Sequence, residues 1–166
     1  MEEKTQCTAQ ELEQVMDRYG GEVYRLAYSR LRSSFDAEDV YQEVFLRYFR
    51  KRPAFETEEH RKAWLLRVTI NRAKSHLASA WVRRTVFQEG ELTFREPENQ
   101  SLDEALAQLK PGDRTLLHLY YYQQLSAREI GGLLDRKEST VRTQLTRARQ
   151  RLGKILKGEE NHGEPF

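Results

Sequence analysis

The sequence predicts an all-α protein made of two small helical domains, and three observations carry that expectation. Apolar residues recur at helical spacing along most of the chain, and no paired runs alternate in the way a β-hairpin requires. Helix-start signatures of the form Ser/Thr-x-x-Glu stand ahead of three periodic segments, at Thr8 to Glu11, Ser101 to Glu104 and Ser126 to Glu129. A polar, proline-containing stretch from 89 to 100 separates two blocks of basic residues. A chain of 166 residues has room for one ordinary domain or two small ones.

In chain order, the first signature opens a helix near the N-terminus. Asp36 is expected to begin the next, DAEDVYQEVFLRYFR, where Val40, Val44 and Tyr48 recur every four residues and Phe45 and Phe49 widen the stripe. RKRPAFETEEH interrupts the pattern with Pro53, and Thr57 caps the helix that follows. In that helix, HRKAWLLRVTINRAKSHLASAWVRR, the expected buried stripe is Leu66, Ile70, Ala73 and Leu77. Arg67, Asn71, Arg72 and Ser75 project the other way, with Trp64 and Val68 among them. The expected divisions are a first domain over 1–88, a flexible acidic linker over 89–100, a second domain over 101–157 and a disordered tail over 158–166.

Charge and composition exclude several classes. The longest apolar run falls well short of the ~18 residues of a membrane span, and the opening MEEKTQ is acidic where a signal peptide is basic and then apolar. The expected location is therefore the cytoplasm, without membrane insertion. The single cysteine, Cys7, excludes an internal disulfide and a cysteine-built zinc site. His60, His76, His118 and His162 show no i, i+3 or i, i+4 pairing, and Gly20-Gly21 and Gly131-Gly132 lack the rest of any phosphate loop. No catalytic residue, metal or cofactor is expected. Residues 61–88 carry seven basic and no acidic side chains, 89–104 six acidic against Arg95, and 136–157 eight basic against Glu138. Two basic patches divided by an acidic strip suit a polyanion gripped at two places.

The second patch has a specific geometry. LSAREIGGLLD forms a short capped helix with Ile130 and Leu134 inward, and Asp135 to Glu138 make a turn. In RKESTVRTQLTRARQRL, Val141, Leu145, Ala148 and Leu152 then fall on one face at about 100° per residue, opposite Ser139, Arg142, Thr143, Thr146, Arg147 and Gln150. A short helix, a tight turn and a longer helix with an exposed Arg/Thr/Gln face is the helix-turn-helix plan, whose second helix enters the major groove. Arginine there bonds guanine in bidentate fashion, and threonine and glutamine suit smaller base-edge contacts. The competing reading is a solvated basic helix in a small bundle. For the first basic helix, an amide, arginines and an aromatic on one face suit phosphates and unstacked bases, against the alternative that Trp64 is simply core.

DAEDVYQEVFLRYFR, AWLLRVTINRAKSHL, an acidic linker and LSAREIGGLLDRKESTVRTQLTRARQRL, in that order from about Tyr19 to Leu156, resemble an extracytoplasmic-function sigma factor of the bacterial sigma-70 family. The resemblance implies two helical domains, sigma region 2 and region 4. It implies as partners the RNA polymerase core, through the β′ clamp coiled coil and the β flap, together with promoter DNA and an anti-sigma factor. Residue by residue, it points to Asp39, Gln42, Glu43 and Phe45 for polymerase docking. For the minus-10 element it points to Arg67, Asn71, Arg72 and Ser75, with Asn71 matching a base-pocket position. For the minus-35 element it points to Ser139, Arg142, Thr143, Thr146 and Arg147. The linker resembles the segment that threads toward the polymerase active centre and exit channel. Three positions depart from the family pattern: Ser75 stands where aspartate is frequent, Tyr41 where a small polar residue is common, and Asp135 where glycine usually helps the turn. The alternatives are a regulator that binds duplex operator without polymerase, an enzyme, and an adaptor acting through protein contacts alone. The first makes the DAEDVYQEVF surface unnecessary, the second lacks a catalytic constellation, and the third leaves both basic patches idle.

Overall fold

Single residues in left-handed or extended backbone punctuate the first three helices. The structure, a computed structural model, describes residues 9–86 and 100–158, and every regular element among them is helical. Helix α1 spans Ala9–Leu31 and ends where Arg32 turns left-handed (φ 55°), its amide bonding the Tyr28 carbonyl at 2.8 Å. Thr8, expected to cap α1, lies outside the described residues. Helix α2, Ser34–Lys51, is capped by Ser33, whose hydroxyl accepts the Asp36 amide at 3.1 Å. The helix thus starts ahead of Asp36, which sits in the first turn, where its charge complements the helix N-terminus. Arg52, left-handed at φ 47°, closes α2 with its amide on the Tyr48 carbonyl, and Pro53 prevents continuation. Thr57 caps α3, Glu58–Val86, as expected, accepting the His60 amide at 3.1 Å.

The chain separates into two compact units, Met1–Glu91 and Leu92–Phe166, a division that falls within the expected linker. In the first, α1, α2 and α3 pack against one another around Val23, Ala27, Val40, Val44, Phe45 and Leu65. Burying each of the larger of these side chains contributes roughly 1.5–3 kcal/mol. Tyr41 lies against Gly20, where an added Cβ would come within 3.0 Å of the phenol oxygen, and its ring meets Phe45 with centroids 4.9 Å apart. The unusual tyrosine therefore fills a notch that glycine leaves in the facing helix. Because α3 is covered by both α1 and α2, its buried surface is wider than the expected stripe: Leu65, Leu66, Val68, Thr69, Ile70 and Ala73 are all inside. Val68 is only 9% exposed, and Trp64 packs edge-on to Tyr48 and Phe55, so neither joins the open face on which periodicity had set them.

The second unit contains α4 (Gln100–Gln108), α5 (Pro111–Leu117), a π-helical turn (His118–Tyr122), α6 (Ala127–Leu134) and α7 (Glu138–Leu156). Helix α4 spans Gln100–Gln108, and the expected cap at Ser101 falls on a side chain outside those described. Pro111 at the first turn of α5 sets the turn from α4, since its missing N–H would be unpaired there anyway. The buried Arg114 guanidinium donates to the carbonyls of Leu106 and Leu109, satisfying the end of α4. Helix α7 packs on α4, α5 and α6 through Val141, Leu145 and Ala148, with Leu152 at the rim. Arg151 of α7 pairs with the mostly buried Asp113 of α5 at 2.8 Å.

Candidate nucleic-acid and polymerase interfaces

The turn between α6 and α7 is built from the sequence signals that mark it. Ser126 and Glu129 form a full capping box: the Ser126 hydroxyl accepts the Glu129 amide at 3.1 Å and the Glu129 carboxylate accepts the Ser126 amide at 3.0 Å. Asp135 ends α6 in the left-handed region (φ 55°), a conformation that aspartate tolerates better than most side chains. The Arg136 amide then reaches back to the Gly131 carbonyl at 2.9 Å. This closure sets the Arg136 carbonyl directly over Gly131, where a Cβ would come within 2.6 Å of it. Gly132 faces open space, so only the first of the two adjacent glycines is required by packing.

Helix α7 leaves this turn with one face buried and the other in solvent. Ser139, Arg142, Thr143, Thr146, Arg147 and Gln150 are all exposed, as periodicity predicts. Thr143 donates to the Ser139 carbonyl at 3.1 Å and Thr146 to the Arg142 carbonyl at 3.0 Å. With both hydroxyl protons committed to the helix, these threonines offer a methyl group and an acceptor oxygen, which suits thymine methyls more than base acceptors. Arg142 is held by Glu138, one turn earlier, at 2.7 Å. Arg136, half-buried at the turn, bonds the Gln144 amide oxygen at 2.8 Å, and Arg149 reaches the Tyr121 hydroxyl at 3.3 Å from over the Tyr120 ring. Periodicity alone does not single out these two arginines, because their contacts with Gln144 and Tyr121 are set by the fold.

In the first unit, Arg67, Asn71 and Ser75 are exposed at four-residue spacing along α3, and Arg72 is half-buried beside them. Ser75 donates to the Asn71 main-chain carbonyl at 3.3 Å, and Asn71 itself is exposed. The 52–57 connection ahead of this helix is pinned by its aromatic residue. The Phe55 ring stacks near Tyr48 (6.3 Å) and meets Trp64 edge-on (6.1 Å), while the Arg61 guanidinium lies 5.2 Å from its centroid. Arg61 also donates to the Tyr48 hydroxyl at 2.6 Å and pairs with Glu58 at 3.3 Å. Tyr19 donates to the same Glu58 at 2.6 Å. Burial, reinforced by this hydrogen bond and by the Glu58 charge, pushes the Tyr19 phenol up to about 12. The same bond, aided by Arg61 and Arg18, holds the Glu58 carboxyl below the usual range. Trp64, the aromatic on which a base-stacking role is expected, belongs to this clamp.

On α2, Gln42 is exposed and Asp39 and Glu43 are half-buried, together forming one polar strip. Phe45 does not belong to it. The ring is 2% exposed and sits in the core against Tyr41, so Phe45 is corrected from a partner-facing residue to a support for the strip. The apolar residue that α2 does present is Leu46, 47% exposed, with Phe35 open at the helix start. The sequence does not separate Phe45 from Leu46, because two adjacent apolar residues at the edge of a stripe fit either face. The expected linker, 89–100, falls almost wholly outside the described residues, and no described helix is long and apolar enough to cross a membrane.

Comparison with known proteins places both units. The family Sigma-70 region 2 matches residues 15–83, and Sigma-70, region 4 matches residues 99–152. The ECF RNA polymerase sigma-E factor of Escherichia coli is 30% identical over 153 residues, covering 80% of each chain. The ECF RNA polymerase sigma factor SigW of Bacillus subtilis is 27% identical over 163 residues, covering 86% of this chain and 87% of that one. Among solved structures, the sigma factor RpoE bound to the anti-sigma factor NepR from Bartonella quintana aligns with a TM-score of 0.73 at 20% identity, covering 90% of this chain and 98% of that one. CnrH in complex with the cytosolic domain of CnrY aligns at 0.69 and 21%, covering 93% and 92%.

Proposed function

The chain belongs to the extracytoplasmic-function sigma factors of the sigma-70 family, and on that premise we propose that its surface carries three working faces. As an RNA polymerase sigma factor it directs promoter-specific transcription initiation. The open face of α7 (Ser139, Arg142, Thr143, Thr146 and Arg147) reads the minus-35 element in the major groove, with the capped α6 and its tight turn fixing the approach angle. The narrow strip Arg67, Asn71 and Ser75, with Arg72 at its edge, takes the minus-10 element. There the cationic groups hold the strand and Asn71 bonds the edge of an unstacked base. The α2 strip of Asp39, Gln42 and Glu43, flanked by Leu46, docks on the β′ clamp coiled coil, and the region 4 unit meets the β flap. None of these side chains is assigned a catalytic role, since the polymerase forms the RNA chain. The protein works where polymerase and promoter are, in the bacterial cytoplasm.

The observation that carries this reading is the agreement between the two faces of α7: every residue assigned to DNA is exposed, and the leucine-containing stripe that anchors the helix is buried. An anti-sigma partner is part of the proposal, because one similar solved structure is a sigma factor, RpoE of Bartonella quintana, bound to the anti-sigma factor NepR. The test is transcription in vitro with purified bacterial core polymerase on DNA upstream of this gene. A discrete transcript dependent on the protein is expected. Arg142→Ala and Arg147→Ala are each expected to weaken promoter use by about 1–3 kcal/mol, in a manner sensitive to the minus-35 sequence. Asn71→Ala is expected to reduce permanganate reactivity of the opened strand more than duplex docking. A shift of the duplex without polymerase, and no transcript with it, replaces this reading by that of an ordinary regulator.

A further inference from the structure

On the seam between α2 and α3, His76 faces carboxylates that α2 presents at helical spacing. Asp36 and Asp39 lie one turn apart on the same face, and Glu43 follows one turn further along. The His76 Nδ1 is buried and has no hydrogen-bond partner. The nearest Asp36 carboxylate oxygen is 3.8 Å away, too far for a hydrogen bond. One donor atom from each of Asp36, Asp39 and His76 lies within 4.8 Å of the other two. With bonds of about 2.1 Å, the donors around one tetrahedral ion stand roughly 3.4 Å apart, so small side-chain rotations close this set around a cation. On the far side of the ring, Nε2 is 3.5 Å from Glu43 Oε1. That is the place of the outer carboxylate that fixes the tautomer of a metal-bound histidine and raises its basicity.

We propose that Asp36, Asp39 and His76 bind a divalent first-row transition-metal ion, with Glu43 holding the imidazole from its far side. One imidazole with two carboxylates and no thiolate suits Zn²⁺, Mn²⁺ or Co²⁺, whereas Ca²⁺ and Mg²⁺ favour all-oxygen sets. The half-buried Asp39 leaves the site open to solvent on one side, where water completes the coordination. The ion ties α2 to α3 and stabilises the fold by binding the native state. Since Asp39 and Glu43 also belong to the docking strip, metal and polymerase clamp compete for them; this consequence, unlike the site itself, rests on the docking reading above.

The test uses the full chain without polymerase, freed of metal by a chelator, so that failure of the docking reading leaves the result intact. Zn²⁺ is followed by calorimetry and thermal unfolding, and Co²⁺ by its visible absorption. One ion per chain is expected, with a melting temperature that rises with Zn²⁺ concentration. His76→Ala is expected to weaken binding at least as much as Glu43→Gln, for which loss of an outer-shell partner gives about 10- to 100-fold. His76 packs between two helices, so Asp39→Asn, a half-exposed change that leaves packing intact, provides an independent variant and is expected to weaken binding to a similar degree. Cys7→Ser and His162→Ala, which alter the other soft donors near the chain ends, are expected to bind as the parent does. No saturable binding at millimolar Zn²⁺, binding unchanged by Asp39→Asn, or binding lost in Cys7→Ser or His162→Ala overturns the proposal.

Discussion

Helices α3 and α7 both present basic and amide or hydroxyl side chains to solvent, but they stand on different amounts of burial. Helix α7 is anchored by a single stripe, Val141, Leu145 and Ala148, and most of its circumference is open. Helix α3 is covered by two neighbours and buries Leu65, Leu66, Val68, Thr69, Ile70 and Ala73, leaving a thin strip of polar positions. A wide open face spreads recognition over many side chains on a regular surface, as reading a groove requires. A thin strip on a deeply packed helix, beside an aromatic-clamped connection, holds a few groups in fixed places, as capturing an unstacked base requires. The contrast makes the anchoring residues of each helix the first place to test it.

The largest effect is expected at Leu145, 1% exposed at the centre of the buried stripe of α7. Leu145→Ala should cost about 2–5 kcal/mol in denaturant unfolding and abolish DNA binding with it. Val68→Ala in α3 tests the breadth of burial directly, because periodicity alone had set Val68 on the open side. A cost of roughly 1–2 kcal/mol is expected from the lost methyl groups and the space they leave. A cost within the ~0.5 kcal/mol typical of surface changes would mean that α3 is no more deeply packed than α7.

The two glycines of α6 sharpen the comparison at the turn that orients α7. Gly131→Ala drives a Cβ to 2.6 Å from the Arg136 carbonyl oxygen, which is backbone and has little room to yield. A loss of roughly 1–3 kcal/mol is expected, with weaker binding to minus-35 DNA as the turn reopens. Gly132→Ala meets nothing and should stabilise the unit by about 0.5–1 kcal/mol, because alanine restricts the unfolded chain and favours helix. Equal effects at the two positions would show that the close approach over Gly131 does not define the turn.

These differences also show where the sequence speaks plainly. The exposed face of α7 was legible because α4, α5 and α6 all meet it along one stripe, which leaves the 3.6-residue period intact. The capping box at Ser126 and the cap at Thr57 were legible because both are local hydrogen-bonding patterns. Phe45, Trp64 and Val68 were misplaced because their environment depends on a second packing partner that no local pattern reveals. The Ser33 cap is hard to tell from Asp36 in the sequence, since an acidic first turn and a capping hydroxyl give overlapping signals. The alignment of His76 with Asp36 and Asp39 joins residues some 40 positions apart, and spacing within one helix says nothing about it.

The smallest effect at neutral pH concerns the clamp ahead of α3, and it becomes visible at the extremes. Tyr19 is held neutral up to about 12, above the ordinary phenol value of 10.0. Its contribution to stability is therefore complete below about pH 10 and is lost as pH rises from there toward 12, where the native phenol finally ionises. Glu58 is shifted the other way. Its contribution is present above the ordinary carboxylate value and is lost as pH falls through the lowered native one. Tyr19→Phe removes the hydrogen bond common to both. It should shrink the loss of stability between pH 10 and 12, leaving only the part due to the other raised phenols, Tyr24 and Tyr41, and soften the acid limb as well. Denaturant melts of the parent and the variant across both limbs measure this. Parallel curves would show that the Tyr19–Glu58 bond contributes nothing to holding the clamp, and that the fixed placement of the α3 strip comes from aromatic packing alone.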